Sequence, residues 1–474
     1  MSSKVDNCTP PSCTDQIFSE ETDMKRDLGL VESISIVIGR IIGSGIFRTP
    51  APIMLAVGST SLFGFVWMLG GIATIFGAVC YAELVAMMPR SGGPYIYIKA
   101  SFGPLWAFLR GWATFFVSET GAIAAVALVF AEYLNAVWLL STGARFSIYY
   151  EIAIALAAIW ILTAINLFGV FLSGMVQNIF SSIKVLAIGA IIGISFTSTG
   201  NMSANVEPFW PDTFGWDTLE SIGKALRYAF FAFSGWQGAT FIAEEVKNPR
   251  RNLPLSLFLG IAGVTILYIG ANLAYLNHLS VEQIKTSKWV ASEALKVAIG
   301  STGGILIAFA VMINTFGNVS TQILCKARTW QAMARDGLFF KGIDKIHPRF
   351  KTPNNSLIIQ GIWASILLIF AGISKIYSNS KTGLYETIID YFSATGAVFV
   401  IMTFLAVFVM RRKYPDVHRP YKAWLYPFSL IVIIIIYAAY LLLTIQTAFW
   451  GSMAGFLLTA TGLIYYFFVV KRRI

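Results

Sequence analysis

The chain has 474 residues, 56% of them hydrophobic and only 12% charged, and its mean hydropathy is +0.69. Soluble domains carry roughly 25% charged residues, so a soluble fold of this length is excluded. The net charge of +11 implies no nucleic-acid partner, because the basic residues are spread over several short polar segments rather than gathered on one face.

Residues 1–28 are polar and mixed in charge, the wrong composition for a cleavable signal peptide, and are expected to form a disordered tail. Cys8 and Cys13 fall there, and the four cysteines of the chain show no C-x-x-C spacing, so no metal site and no cofactor is expected. Apolar runs long enough for membrane spans follow near 29–57, 61–88, 105–138, 147–168, 174–197, 220–244, 253–277, 302–332, 355–373, 386–410, 421–446 and 450–470. The eighth is the least regular, because Asn314, Asn318 and Gln322 interrupt it. With the N-terminus inside, the intracellular segments hold Arg90, Lys99, Lys247, Arg250, Arg251, Lys326, Arg328, Lys341 and Arg411 to Lys413, whereas the external loops hold few basic residues. That asymmetry places both termini in the cytoplasm of a multi-pass protein of the cell (inner or plasma) membrane. Phe339 and Phe340, set among basic residues between the eighth and ninth spans, suggest a short amphipathic piece on the inner leaflet.

Two of the spans are interrupted. The first reads SIVIGRIIGSGIFRTP, broken at Gly43-Ser44-Gly45, and the sixth reads YAFFAFSGWQGATFIAEE, broken at Ser234-Gly235. Within a membrane, unwound backbone is tolerated only where it lines a cavity or is buried in protein. Two broken helices at matching places in two halves point to a transporter's substrate site. Pairing spans one to five with six to ten requires the second set to be inverted, because five is odd. The expected fold is therefore an all-α membrane protein of twelve transmembrane helices with a LeuT-type 5+5 inverted repeat, discontinuous helices 1 and 6, and two further helices. Its parts are the tail 1–28, the first repeat 29–197, the second repeat 198–410, and 411–474 with helices 11 and 12 and a short basic tail.

Unwinding frees main-chain groups. N–H groups near Gly45 suit a carboxylate, with one hydroxyl bond from Ser44. Carbonyls of Ile41, Ile42, Phe231, Ala232 and Ser234 suit an ammonium group, and Gly43, Gly45 and Gly235 leave room for a side chain. A molecule with both charges a few ångströms apart is an α-amino acid. A helix-packing notch is the competing account of Gly and Ser in an apolar helix, and it weakens when two breaks match.

The segments IIGSGIF (41–47), ELVAMMPRSGGPY (83–95), ALVFAEYL (127–134), FSGWQGATFIAEEVKNPRRNLP (233–254) and ARTWQAMARDGLF (327–339) resemble the amino acid–polyamine–organocation superfamily, and within it the L-type amino acid transporters. The resemblance implies amino acid transport with substrate contacts at Ile41, Ser44, Gly45, Phe231 and Ser234. It makes Phe231 an aromatic gate, with Trp236 grouped beside it. Lys184, deep in the fifth span, stands where sodium-coupled relatives hold a cation, which implies sodium independence; it either braces the unwound first helix or carries a proton. Glu119 departs from the arginine of animal members. Three readings of it stay open: a protonated coupling group, an ion pair with Lys184 or Arg40, or a water-exposed end. Arg40 and Arg48 bracket the first break and are candidates for vestibule linings, closing salt bridges or attraction of acidic substrates.

The loop LLSTGARFSIY between spans three and four lacks the cysteine through which animal members join a heavy chain, so no disulfide-linked heavy chain is implied and the chain is expected to work alone with its substrate and lipid. A membrane enzyme is the rival class. Ser181, Ser182 and Lys184 lack oxyanion donors, and His278, His347 and His418 fall in loops, so no catalytic residues and no metal ligands are assigned. The expectation is sodium-independent exchange of neutral L-amino acids by alternating access; the alternative is a proton-coupled permease, with acidic or cationic substrates possible.

Overall fold

The computed structural model describes Phe18, Arg26 and residues 28–90, 92–168, 170–350, 352–377 and 384–472. Most of the expected tail, with Cys8 and Cys13, lies outside the described residues. Its end is anchored: Leu28 forms an isolated parallel β-bridge with Val246, and Arg26 donates to the Val246 carbonyl at 3.0 Å.

Among the described residues there are no strands, and ten helices are long and apolar enough to cross a membrane. The first apolar run is α1 (Leu30–Ile41), α2 (Gly45–Arg48) and α3 (Pro50–Val57), and α4 (Thr60–Met87) follows. The short α5 (Pro94–Phe102) leads into α6 (Pro104–Ala113), a π-helical turn (Thr114–Ser118) and α7 (Glu119–Thr142), which together make one 39-residue span. Next come α8 (Ile148–Leu167), α9 (Val170–Thr197) and α10 (Trp216–Ala232), which passes into a 3-10 helix (Trp236–Glu245). The chain continues through α11 (Pro249–His278), α12 (Val281–Thr286), α13 (Val290–Ile299), α14 (Ser301–Arg335), α15 (Asn354–Tyr377), α16 (Leu384–Lys413), α17 (Phe428–Thr447) and α18 (Phe449–Tyr465).

Most boundaries fall within a few residues of the expected ones. The helix α17 begins seven residues later than 421, because Pro427 caps it and the preceding segment folds back onto the end of α4, where the Ala423 N–H donates to Glu83 at 2.8 Å. The 35 residues of α14 form one helix about 52 Å long at 1.5 Å per residue. It runs on without a break because Asn314 and Asn318 turn into the protein, where both are buried.

The broken first helix and α10 lie at the centre, enclosed by α4, α7, α11 and α14, while α17 and α18 pack on α16 at one side. Large apolar side chains such as Leu186, Ile266, Phe370, Leu442 and Leu457 face outward. A surface of that kind is stable against lipid, not water.

Two further expectations are corrected. Phe339 does not lie on a surface: it is buried and packs edge-on against Phe115 and Trp112, because the chain after α14 turns back under the π-helical turn. His278 is not in a loop: it ends α11, is buried, and its Nε2 lies 3.1 Å from the Ser198 hydroxyl.

Candidate functional site

Both breaks form where the sequence placed them, and they touch. After Ile41 the chain leaves the helix, with Ile42 extended at ψ 94°, and resumes at Gly45. Thr49 is itself helical, so α2 runs on into α3. Among the described residues the N–H groups of Gly45 and Ile46 have no backbone acceptor, whereas the Phe47 and Arg48 N–H groups both turn back to the Ser44 carbonyl. At the second break Gly235 has φ +91°, a left-handed conformation that an L side chain rarely adopts.

A Cβ built on Gly45 would lie 2.4 Å from the Ala232 Cα, and one on Gly235 would lie 2.7 Å from the Arg40 carbonyl oxygen. Each break therefore uses a glycine to admit the backbone of the other. The second half-helix is wound as a 3-10 helix, with tighter i→i+3 bonds. Nothing in its composition signals this.

Both breaks open into one cavity of about 180 Å³. Of the residues singled out from sequence, Arg40, Ile41, Gly43, Ser44, Gly45, Glu119, Phe231, Ala232, Ser234, Gly235 and Trp236 line it; Ile42 and Lys184 do not. The Ser44 hydroxyl is buried without a well-formed hydrogen bond, near the Tyr385 hydroxyl. Ser234 is exposed to the space.

The freed carbonyls are better supported than expected. One hydroxyl, that of Tyr268 on α11, lies 3.1 Å from the oxygens of both Ile41 and Ala232. The Phe231 carbonyl accepts the Ser234 N–H at 3.0 Å, and Ile42 accepts a longer bond of 3.4 Å from the Asn318 amide.

On the α2 side a stack closes the cavity. Phe231 packs edge-on to Tyr385 at 5.7 Å, and the Arg48 guanidinium lies over the Tyr385 ring at 5.0 Å. Arg48 bridges Glu132 of α7 at 3.1 Å and Glu386 of α16 at 2.9 Å. Of its open readings, the structure gives Arg48 salt bridges to two carboxylates. Trp236 is buried and packs edge-on to Tyr81, at 5.0 Å between centroids.

Glu119 follows the π-helical turn, a feature frequent at functional sites. It pairs with Lys326, not with Lys184 or Arg40. Lys326 is correspondingly misplaced by the sequence reading: it is no loop residue but a buried side chain of α14, with its ammonium 4.3 Å from the Phe241 ring. A signal for it existed. Asn314, Asn318, Gln322 and Lys326 recur every four residues, which puts them on one helix face, and Asn318, Gln322 and Lys326 line the cavity.

Lys184 is fully buried on α9 and donates to the Gly39 carbonyl at 2.9 Å, in the last turn before the first break. At the N-terminal end of α1, ion pairs form a rim: Lys99 with Asp336 at 2.7 Å, Arg328 with Glu245 at 2.7 Å and Arg90 with Glu244 at 3.5 Å. Tyr95 donates to the same Asp336, and burial together with that carboxylate pushes its phenol well above its ordinary pKa.

Residues 28–470 match the family model described as "Amino acid permease". The chain is an amino acid permease of the amino acid–polyamine–organocation superfamily. Among its relatives, the b(0,+)-type amino acid transporter 1 of Mus musculus is 31% identical over 95% of this chain and 89% of its own length. The Asc-type amino acid transporter 1 of Mus musculus is 32% identical over 85% and 74%. The serine/threonine exchanger SteT of Bacillus subtilis is 29% identical over 88% and 91%. The permease is thus a multi-pass membrane transporter of amino acids, not an enzyme.

Proposed function

We propose that this permease is a sodium-independent exchanger of amino acids that works by alternating access around the two breaks. The observation that carries the proposal is the meeting of the breaks on one cavity. The unbonded N–H groups of Gly45 and Ile46 and the Ser44 hydroxyl receive the α-carboxylate, and carbonyls of Ile41, Phe231 and Ser234 receive the ammonium. Main-chain recognition of that kind needs no charged side-chain partner, so neutral L-amino acids are among its substrates, as the name of the SteT relative suggests for serine and threonine. Sodium independence is supported by Lys184, whose ammonium bonds to Gly39 and brings a positive charge beside the break.

In this reading α9 and the pair of α10 with its 3-10 helix join the ten long apolar helices to make twelve spans. The first ten are arranged as inverted repeats of five around the crossing breaks. The distribution of basic segments supports a cell-membrane location with both termini in the cytoplasm, and in that orientation the Arg48 stack lies toward the external side. The cysteine-free loop between α7 and α8 favours action as a single chain. Proton-coupled uptake is the second reading, favoured by the carboxylate of Glu119 in the cavity wall.

Proteoliposomes loaded or not with unlabelled serine, and assayed for radiolabelled serine uptake with and without sodium and a pH gradient, test both. Uptake that requires internal serine and ignores sodium and the gradient supports exchange. Gradient-driven uptake into empty vesicles refutes it in favour of proton coupling.

A further inference from the structure

The charges lining the cavity do not balance. Five charged side chains border it: Arg40, Arg110, Glu119, Arg227 and Lys326. Arg227 is matched by Asp390 at 2.6 Å, and Lys326 is matched by Glu119. Arg40 and Arg110 pair with no carboxylate of their own among the described residues. Arg40 is 7% exposed, its Nε has no partner, and its one hydrogen bond is a long one of 3.4 Å to the Thr321 carbonyl. Arg110 is held by the Thr114 hydroxyl in the π-helical turn, and its Nε also has no partner. Both act electrostatically on Glu119 alongside Lys326, so three cations gather round one carboxylate.

An unmatched guanidinium deep within a membrane span is costly. Its planar fork of donors fits a carboxylate. We infer that Arg40 and Arg110 form a subsite for a second carboxylate, and that amino acids with an acidic side chain, glutamate or aspartate, are among the substrates. The inference rests on the reading of the breaks as the amino acid clamp and extends it. The α-carboxylate and ammonium occupy the main-chain ends, and the side-chain carboxylate reaches the two guanidiniums on the Glu119 side. The same field disfavours lysine and arginine as substrates.

The test is equilibrium binding of radiolabelled amino acids to the purified full-length permease in lipid nanodiscs at pH 7. Glutamate or aspartate is expected to bind at least about tenfold more tightly than its own amide, glutamine or asparagine, the factor set by about one charge-assisted hydrogen bond. Arg40→Gln and Arg110→Gln should each bring the acid-to-amide ratio down toward one. An amide that binds as tightly as its acid to the unaltered protein overturns the proposal, which means that water alone hydrates the two arginines. A ratio that stays high in both variants overturns it too. If a variant does not fold, the ratio in the unaltered protein decides. Glutamate that binds but is not exchanged refutes the exchange mechanism and leaves the subsite standing, whereas serine exchange without preferential acid binding does the reverse.

Discussion

Replacing Gly45 with alanine tests the contact on which the clamp depends. The added Cβ would sit 2.4 Å from the Ala232 Cα and 2.8 Å from its Cβ. Carbon atoms pack best at about 3.5–4.0 Å, so the two breaks must part by roughly 1 Å or more, and both contacts are with atoms that cannot rotate away. Hydrogen bonds of about 2.7–3.2 Å do not survive such a displacement. Each charge-assisted bond is worth about 1.5–3 kcal/mol. Losing one raises the Kd for an amino acid about tenfold or more, and losing one on each pole of the substrate raises it beyond about 100-fold. Gly189→Ala on α9 is the control, since its Cβ meets nothing within 4 Å. The measurement is substrate binding to each purified variant, with elution as a single monodisperse species as the criterion of folding. A folded Gly45→Ala protein that binds as well as the control would show that the breaks do not meet as described.

Four other outcomes follow from named contacts. Lys184→Met removes the bond to the Gly39 carbonyl without touching the cavity, so exchange turnover should fall about tenfold while Kd changes little; equal loss of both would make Lys184 part of the binding site. Lys326→Met removes the direct ion-pair partner of Glu119 and should destabilise the protein by less than the roughly 3–5 kcal/mol of an isolated buried charge, because Arg40 and Arg110 still act on the carboxylate; Lys326→Met with Glu119→Gln recovers part of that loss in thermal melts, and additive losses would rule out the pair. Glu83 is almost fully buried and binds Arg411 at 2.6 and 2.8 Å as well as the Ala423 N–H, so Glu83→Ala should unfold the end of α4 and α16 and lower the melting temperature by several degrees. Glu386→Gln removes one of the two carboxylates on Arg48, and a cysteine placed at Ser234 should then react about tenfold faster with an impermeant thiol reagent added from outside; an unchanged rate argues against a lid there.

What the sequence disclosed, it disclosed through local chemistry. Glycines inside apolar runs mark the breaks because an L side chain rarely adopts φ +91° as at Gly235 and would clash with Ala232 at Gly45. Span positions follow from length and hydropathy. The misreadings concern pairings that no local rule specifies. Glu119 and Lys326 are 207 residues apart, and only the bundle brings them together. The charge of Lys326 suits an intracellular segment, although its four-residue spacing from Asn314, Asn318 and Gln322 puts it on the same helix face as those residues. Tyr268 is not legible in the sequence, because a tyrosine in an apolar helix has no signature that distinguishes a carbonyl's partner from a packing ring. Phe339 misled for a related reason: aromatic and basic residues in a short loop suit a lipid surface and a protein pocket equally.

The two closures differ in strength, and the difference sets which opens first. Arg48 and Glu132 keep only 6% of their side-chain surface each, and Glu386 keeps 13%. Parting charges that deeply enclosed leaves each one unmatched in a poorly polarisable setting. At the opposite rim, Lys99 and Asp336 keep 36% and 33%, and Arg328 and Glu245 keep 30% and 27%. Exposed pairs of that kind contribute about 0–1 kcal/mol each, because water replaces what they lose. In the proposed exchange, the state described here yields more readily at the rim, toward the N-terminal end of α1, and that is the side on which substrate is expected to leave. Opening the other way requires something that compensates Arg48 and its two carboxylates. In the proposed cycle that compensation comes with movement of α2 and α3 against α7 and α16, and the breaks at Gly43 to Gly45 and at Gly235, where the helical ladder is interrupted, are the places at which the chain can bend to make it.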